Sequence, residues 1–331
     1  MKQWRILRII QEGMGMRKTR TTVDDWRNVL PVPPLARRRD AGRTLDFAAN
    51  TTLAGHLRAG GMRHLLYGGN AFLYHLPLAE FGELLGWLAQ LPDDVLAIPS
   101  LGPSYGRARD QAPLVRKHAF PLVMMLPCND PRDARGLEQG YREIASEAEA
   151  PLMLYLKDED SFGADREAGL DAVARLVSDG VCQVIKYAVV RENPAQDLYL
   201  DSLLSRVDRR LVISGIGERP AIVHLRDFGL PGFTSGSACL APRLSAAVLR
   251  AAAAGRWDEA EQFRAAFLPL EDLRDAWGAA RVLHAAIELA GIAGTGPVPP
   301  YASELAESQR EQVQRIALAL AEAGRAGDVS R

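Results

Sequence analysis

PLMLYLKDEDSFGADREAGLDAVARLVSDGVCQVIKYA, residues 151–188, decides the fold. PLMLYL (151–156) is a short apolar run closed by charged residues, as a strand buried on both faces requires. AGLDAVARLVSDG (168–180) repeats apolar residues at three- and four-residue steps and ends in Gly180, which predicts an amphipathic helix with its stop. CQVIKY (182–187) is a second apolar run. Strand, helix and strand within about forty residues make a βαβ unit, whose two strands are parallel.

Working outward, the same kind of run recurs as NVLPV (28–32), HLLYGG (64–69), VLAIPS (95–100), FPLVMMLP (120–127), RLVISG (210–215) and GFTSGS (232–237). Helical patterns such as LAEFGELLGWLAQL and LEQGYREIASEAE lie between them. Eight units predict an α/β fold of the (β/α)8 barrel type, with an open doubly wound sheet as the alternative. From Arg243 onward no strand signal returns, and strong helix formers predict an all-helical C-terminal region of roughly three helices, interrupted by GTGPVPPYAS (294–303). The domain boundaries follow: an N-terminal extension over 1–26, for which disorder is allowed, the barrel over 27–242, and the helical region over 243–331.

Forty basic against 41 acidic side chains give a net charge of −1, which provides no electrostatic case for nucleic acid or a membrane surface. Three cysteines, Cys128, Cys182 and Cys239, stand far apart with no CxxC spacing, as expected of reduced thiols in a cytoplasmic protein. The apolar stretch inside MKQWRILRIIQEGMGMRKTR is too short to span a bilayer. No His, Asp or Glu cluster has metal-ligand spacing, and no GxGxxG or P-loop pattern is present, so neither a metal nor an external cofactor is expected.

In a β/α barrel, chemistry sits at the C-terminal ends of the strands. That rule selects Lys186, at the end of VCQVIK, and Tyr155, at the matching place one strand earlier. A desolvated lysine can lose its proton and attack a carbonyl, and a phenol beside it can move protons. Read alone, each has a structural alternative: a lysine snorkelling at a strand end, and a rim tyrosine whose hydroxyl meets water. Gly68, Gly69 and Asn70, after the second strand, leave room for a ligand to approach backbone N–H groups. Thr234, in the eighth run, joins them as a substrate-binding candidate. His75 lies five residues beyond Asn70, where the following helix is expected to have begun.

From about residue 28 to 325 the chain resembles the dihydrodipicolinate synthase/N-acetylneuraminate lyase superfamily of Schiff-base aldolases. YGGNAFLYHLPLAEF stands where the family has a GTTGE-type loop, APLMLYLKD at its tyrosine-bearing strand, and CQVIKYA at its lysine-bearing strand. LVISGIGE and GLPGFTSGSACLAP match its last two strands, and AAGRWDEAEQFRAAFLPLEDL with GTGPVPPYASEL match its C-terminal helices and their link. The resemblance implies an imine-forming role for Lys186, a proton-shuttling role for Tyr155, carboxylate binding at Gly68–Asn70, and a homo-oligomer, tetramer or dimer. The chain also departs from the pattern. Gly69 and Asn70 replace two threonines, LPCNDP (126–131) lacks a relay tyrosine, and YLKDEDSFG (155–163) carries acids where an arginine would hold a second carboxylate. Asp158, Glu159 and Asp160 supply acceptors suited to a polyhydroxylated or cationic group, or they form a solvated loop.

The function expected is a Schiff-base-forming lyase, aldolase or dehydratase, acting on a 2-oxo acid, with sugar-derived acids included. A typical dihydrodipicolinate synthase is not expected. The rival expectation is a barrel that binds a 2-oxo acid without turnover, as a sensor or partner protein.

Overall fold

The computed structural model describes residues 15–129 and 132–326. Its strand segments are β1 (Val29–Pro31), β2 (His64–Leu66), β3 (Leu96–Ile98), β4 (Ser100–Leu101), β5 (Val123–Met125), β6 (Leu152–Leu156), β7 (Cys182–Tyr187), β8 (Val212–Ser214) and β9 (Phe233–Ser235). Every pairing is parallel. One ladder runs β1-β9-β8-β7-β6-β5-β4 and a second joins β2 to β3. Only Pro99 separates β3 from β4, so the two segments form one stave interrupted where a residue has no N–H to give. All eight predicted runs are therefore staves, curled in chain order.

The ring has one joint without a ladder, where β2 lies beside β1. There Asn70, just past β2, donates its side-chain amide to the carbonyl of Val32, just past β1, at 2.8 Å. Most strand residues are buried, as expected when helices cover the outside and side chains fill the inside.

The outer helices are α1 (Phe47–Ala59), α2 (Leu78–Leu88), α3 (Tyr105–His118), α4 (Ala134–Ala148), α5 (Arg166–Ser178), α6 (Leu198–Leu204) and α7 (Ala221–Arg226). Asp46, Asp133, Asp165 and Asp197 each cap a helix start by accepting a backbone N–H. In α2 the buried residues Phe81, Leu84, Leu85 and Leu88 recur at three- and four-residue steps, which is the stripe that binds it to the barrel.

After the barrel come α8 (Pro242–Ala253), α9 (Trp257–Ala265), α10 (Leu268–Trp277), α11 (Ala279–Leu289) and α12 (Glu307–Ala326). Five helices stand where the sequence suggests roughly three. The apolar periodicity runs on through the breaks at Gly255, Ala266–Phe267 and Gly278, so it does not register them. No helix among the described residues is long and apolar enough to cross a membrane.

Residues 15–26, read above as part of an extension, are packed. Met16 and Trp26 are both 1% exposed. Asp25 accepts from Thr22 N at 2.7 Å, is ion-paired to Arg17, and lies 3.0 Å from His64 Nε2 at the start of β2. Residues 1–14 lie outside the described residues. Burial acts to raise the Asp25 carboxyl, but the bonds from His64, Arg17 and Thr22 override it and hold it far below the usual carboxylate range. A depressed folded pKa stabilises above the unfolded value of about 4, and that contribution is lost as pH falls below it. Asp25→Ala is expected to cost about 3 kcal/mol at pH 7 and to flatten the loss of stability below pH about 4. Urea unfolding of both proteins across that range reads the two slopes.

Candidate active site

Lys186 and Tyr155 are register partners on adjacent parallel strands, so both point from the same level of the barrel. Lys186 is 6% exposed, and its Nζ lies 3.8 Å from the centroid of the Tyr155 ring. The amine faces the π cloud of that ring, which offsets part of its desolvation. Among the described residues, Lys186 has no ion-pair partner and the Tyr155 hydroxyl has no hydrogen bond. A buried amine with no carboxylate beside it is uncommon in a purely structural role.

The loop after β2 supplies the next rim. Gly68 is pressed against the interior: a side chain there would begin 2.9 Å from Met124 Cε and 3.4 Å from Ser100 Oγ. Next to Gly69 stands Tyr74, whose Cε2 is 3.8 Å from where a Gly69 side chain would begin. Burial, then the proximity of Tyr155, pushes the Tyr74 phenol up, so it stays protonated. Asn70 is occupied in part by Val32, as described. His75 sits in a 3-10 turn (Leu73–His75) ahead of α2 instead of within the helix, stacked on Tyr301 at 5.2 Å.

Thr234 is 2% exposed on β9, and its carbonyl accepts from Gly217 N at 3.1 Å. Around it lies a buried polar cluster that the sequence reading did not single out. Glu218, fully buried four residues past β8, accepts from Ser235 Oγ at 2.6 and 2.8 Å and from Ser245 Oγ at 2.8 Å. Glu271 of α10 accepts from Ser237 Oγ and is ion-paired to Arg274 at 2.7 Å. Burial, then the Glu271 carboxylate, raises Glu218 above the usual carboxylate range. Glu218 was open to the strand-end rule, since it lies in a βα loop. Arg274 was not, because it arrives from a helix outside the barrel.

The acidic loop after β6 does not offer three free acceptors. Glu159 is ion-paired to Arg166 and Arg191, and Asp160 to Arg132 at 2.8 Å. Arg191 also holds Asp197 at 2.8 Å, which accepts from Tyr187 Oη at 2.6 Å. His224 is accounted for by packing: it is 1% exposed, bonds Ser214 at 2.8 Å and is pushed down to about 4 by burial. Among the described residues no three His, Cys, Asp or Glu side chains are grouped to hold a metal ion.

The fold and the site are a parallel β/α barrel with a buried amine, Lys186, and a phenol, Tyr155, on neighbouring strand ends. The model of the dihydrodipicolinate synthetase family matches residues 121–320, more than half of the chain, and the chain belongs to that family, one of aldolase-type lyases. The matched stretch contains Tyr155, Lys186 and Arg274 but not Gly68–Asn70. The structure of dihydrodipicolinate synthase from Agrobacterium tumefaciens str. C58 is similar with a TM-score of 0.77 and 20% identity, covering 90% of this chain and 100% of that one. The Bacillus clausii dihydrodipicolinate synthase is similar with a TM-score of 0.76 and 19% identity, over 90% of this chain and 98% of that one. Identities this low carry the fold alone. A comparison with curated protein sequences gives no match.

Proposed function

We propose that the chain is a Schiff-base-forming lyase, an aldolase or dehydratase, that acts on a 2-oxo acid. The observation that carries this reading is the buried Lys186 amine, with no carboxylate partner among the described residues, set against the Tyr155 ring. The amine attacks the C2 carbonyl carbon, the carbinolamine loses water, and the resulting iminium withdraws electrons from the bond that breaks or forms. Tyr155 supplies and removes protons in the carbinolamine steps. The loop Gly68–Asn70 and Thr234 bind the acid.

A typical dihydrodipicolinate synthase is disfavoured, since Glu159 and Asp160 after β6 engage Arg132, Arg166 and Arg191 within the chain's own ion pairs. Gly69 brings no hydroxyl to the site, and Tyr74 fills the space beside it.

Borohydride reduction in the presence of pyruvate and longer 2-oxo acids tests the reading. The expected result is a ligand-dependent mass increase on the peptide carrying Lys186, absent from Lys186→Ala. Tyr155→Phe is expected to form the same adduct with a rate lower by about 10²–10⁴. Binding of a 2-oxo acid with no adduct would favour a sensor instead.

A further inference from the structure

The geometry points to one proton held between Glu218 and Glu271 as a pH-sensitive latch: bound, it seats the C-terminal helices α8 and α10 on the last two staves, and its release loosens them. The latch is independent of the imine chemistry. Glu218 is 0% exposed in the loop after β8, and Glu271 is 4% exposed on α10. The Glu271 carboxylate comes up against the chain one residue before Glu218, since a side chain at Gly217 would begin 2.8 Å from its Oε2. Among the described residues one buried cation serves the two acids: Arg274, which donates to Glu271 at 2.7 Å. A second full negative charge without a cation of its own is costly to bury, so one carboxyl is better accommodated neutral.

The partners decide which one. Glu271 is held by a guanidinium, which only donates, and so keeps its charge. Glu218 is held by hydroxyls: Ser235 Oγ lies 2.6 and 2.8 Å from its two oxygens, and Ser245 Oγ lies at 2.8 Å. A hydroxyl both accepts and donates, so by rotating it satisfies either form of the acid. Ser235 Oγ accepts from Ala238 N at 2.8 Å and keeps a lone pair for the Glu218 proton. Burial, then the Glu271 carboxylate, raises Glu218 to about 7. The other charged or titratable groups around it do not replace the missing cation. Arg219, the next residue, is half-exposed and paired to Asp272 and Asp275. Arg243 and Arg250 of α8 are exposed. The Cys239 thiol is buried and, chiefly through that burial, stays protonated, and His224 of α7 is turned to Ser214.

The proton's neighbours sit on separate elements. Ser235 belongs to β9, Ser245 to α8 and Glu271 to α10, so Glu218 ties the barrel to both helices. With the proton bound, the junction holds one carboxylate and one guanidinium. Without it, two carboxylates share that guanidinium, and their repulsion acts between α10 and the loop after β8. Because the folded chain retains a proton that the unfolded chain releases above pH about 4, stability falls as pH rises from about 4 through about 7 and is level beyond.

Infrared titration and hydrogen exchange of the full chain, as wild type, Glu218→Gln and Glu271→Gln, test the latch. The wild type is expected to show the carbonyl band of a protonated buried carboxyl at pH about 6 that is gone by pH about 9. The band should be absent from Glu218→Gln and should disappear at lower pH in Glu271→Gln, where the neighbouring charge is removed. Between pH about 5 and 7, protection of α8 and α10 amides, corrected for intrinsic rates and taken relative to β6 and β7, should fall by up to about tenfold per pH unit in the wild type and stay level in Glu218→Gln. A wild-type band that is absent at pH about 6 or persists to pH about 9 overturns the proposal, and this reading needs no variant to fold. A band that survives in Glu218→Gln overturns the assignment of the proton. Protection that follows pH identically in wild type and Glu218→Gln overturns the latch.

Discussion

Lys186→Met is expected to remove the borohydride adduct and to slow exchange of the pyruvate methyl protons with solvent deuterium by on the order of ten-thousandfold or more, without lowering Tm. The two halves of this result have one cause. Among the described residues the amine is withdrawn from water with no carboxylate paired to it, and the Tyr155 ring face is what compensates. That ring contact is worth about 1–2 kcal/mol, against several for desolvating the ion. Methionine has a similar length, fills the same channel and carries no charge to desolvate. Its thermal midpoint should match or exceed that of the wild type, as happens when a group is retained for chemistry at the expense of stability. A clear fall in Tm with exchange intact would assign Lys186 to packing.

Gly296→Ala is expected to be among the most damaging single substitutions in the chain, costing several kcal/mol of stability. Gly296 has φ +70°, and a side chain there would begin 1.7 Å from the Arg37 carbonyl oxygen. Nothing flexible can yield, because the obstacle is backbone. The contact closes the link between α11 and α12 onto the loop after β1: Arg37 N donates to Thr295 O at 2.8 Å, and Gly296 N to Glu288 at 2.9 Å. Arg37 itself is 7% exposed and donates to Glu80 at 2.7 Å on α2. Pushing the link away would undo these bonds together. Urea unfolding is the measurement, and a midpoint within error of the wild type would show that the C-terminal helices are docked by other contacts.

The barrel could be read from the sequence because each stave is buried on both faces and so appears as an uninterrupted apolar run between breakers. The strand-end positions of Lys186 and Tyr155 could be read because a polar residue at the end of such a run stands out, whereas the roles proposed for them come from the family resemblance. Arg274 could not. In α10 it lies among the charged residues of one helix, and its place in the buried cluster with Glu271 and Ser237 arises only from the fold. The packing of residues 15–26 was hidden for a related reason: Arg17 and Asp25 look like solvated charges until His64 is brought beside them. Glu159 and Asp160 after β6 likewise read as open acceptors or a solvated loop, and their arginine partners come from a helix start and loops with no sequence signal of pairing.

The joint between β1 and β2 gives the barrel an asymmetric softness. Seven joints of the ring are laced by backbone hydrogen bonds, and at the eighth the Asn70 amide is a side-chain stitch. A stitch opens at far lower cost than a ladder, so amide hydrogens on either side of this joint should exchange with solvent ahead of those in β6 and β7. Because the stitching residue is also a proposed ligand contact, occupancy of the mouth and tightness of the seam would be thermodynamically linked: an acid that draws on Asn70 changes how readily the wall of its own binding chamber breathes.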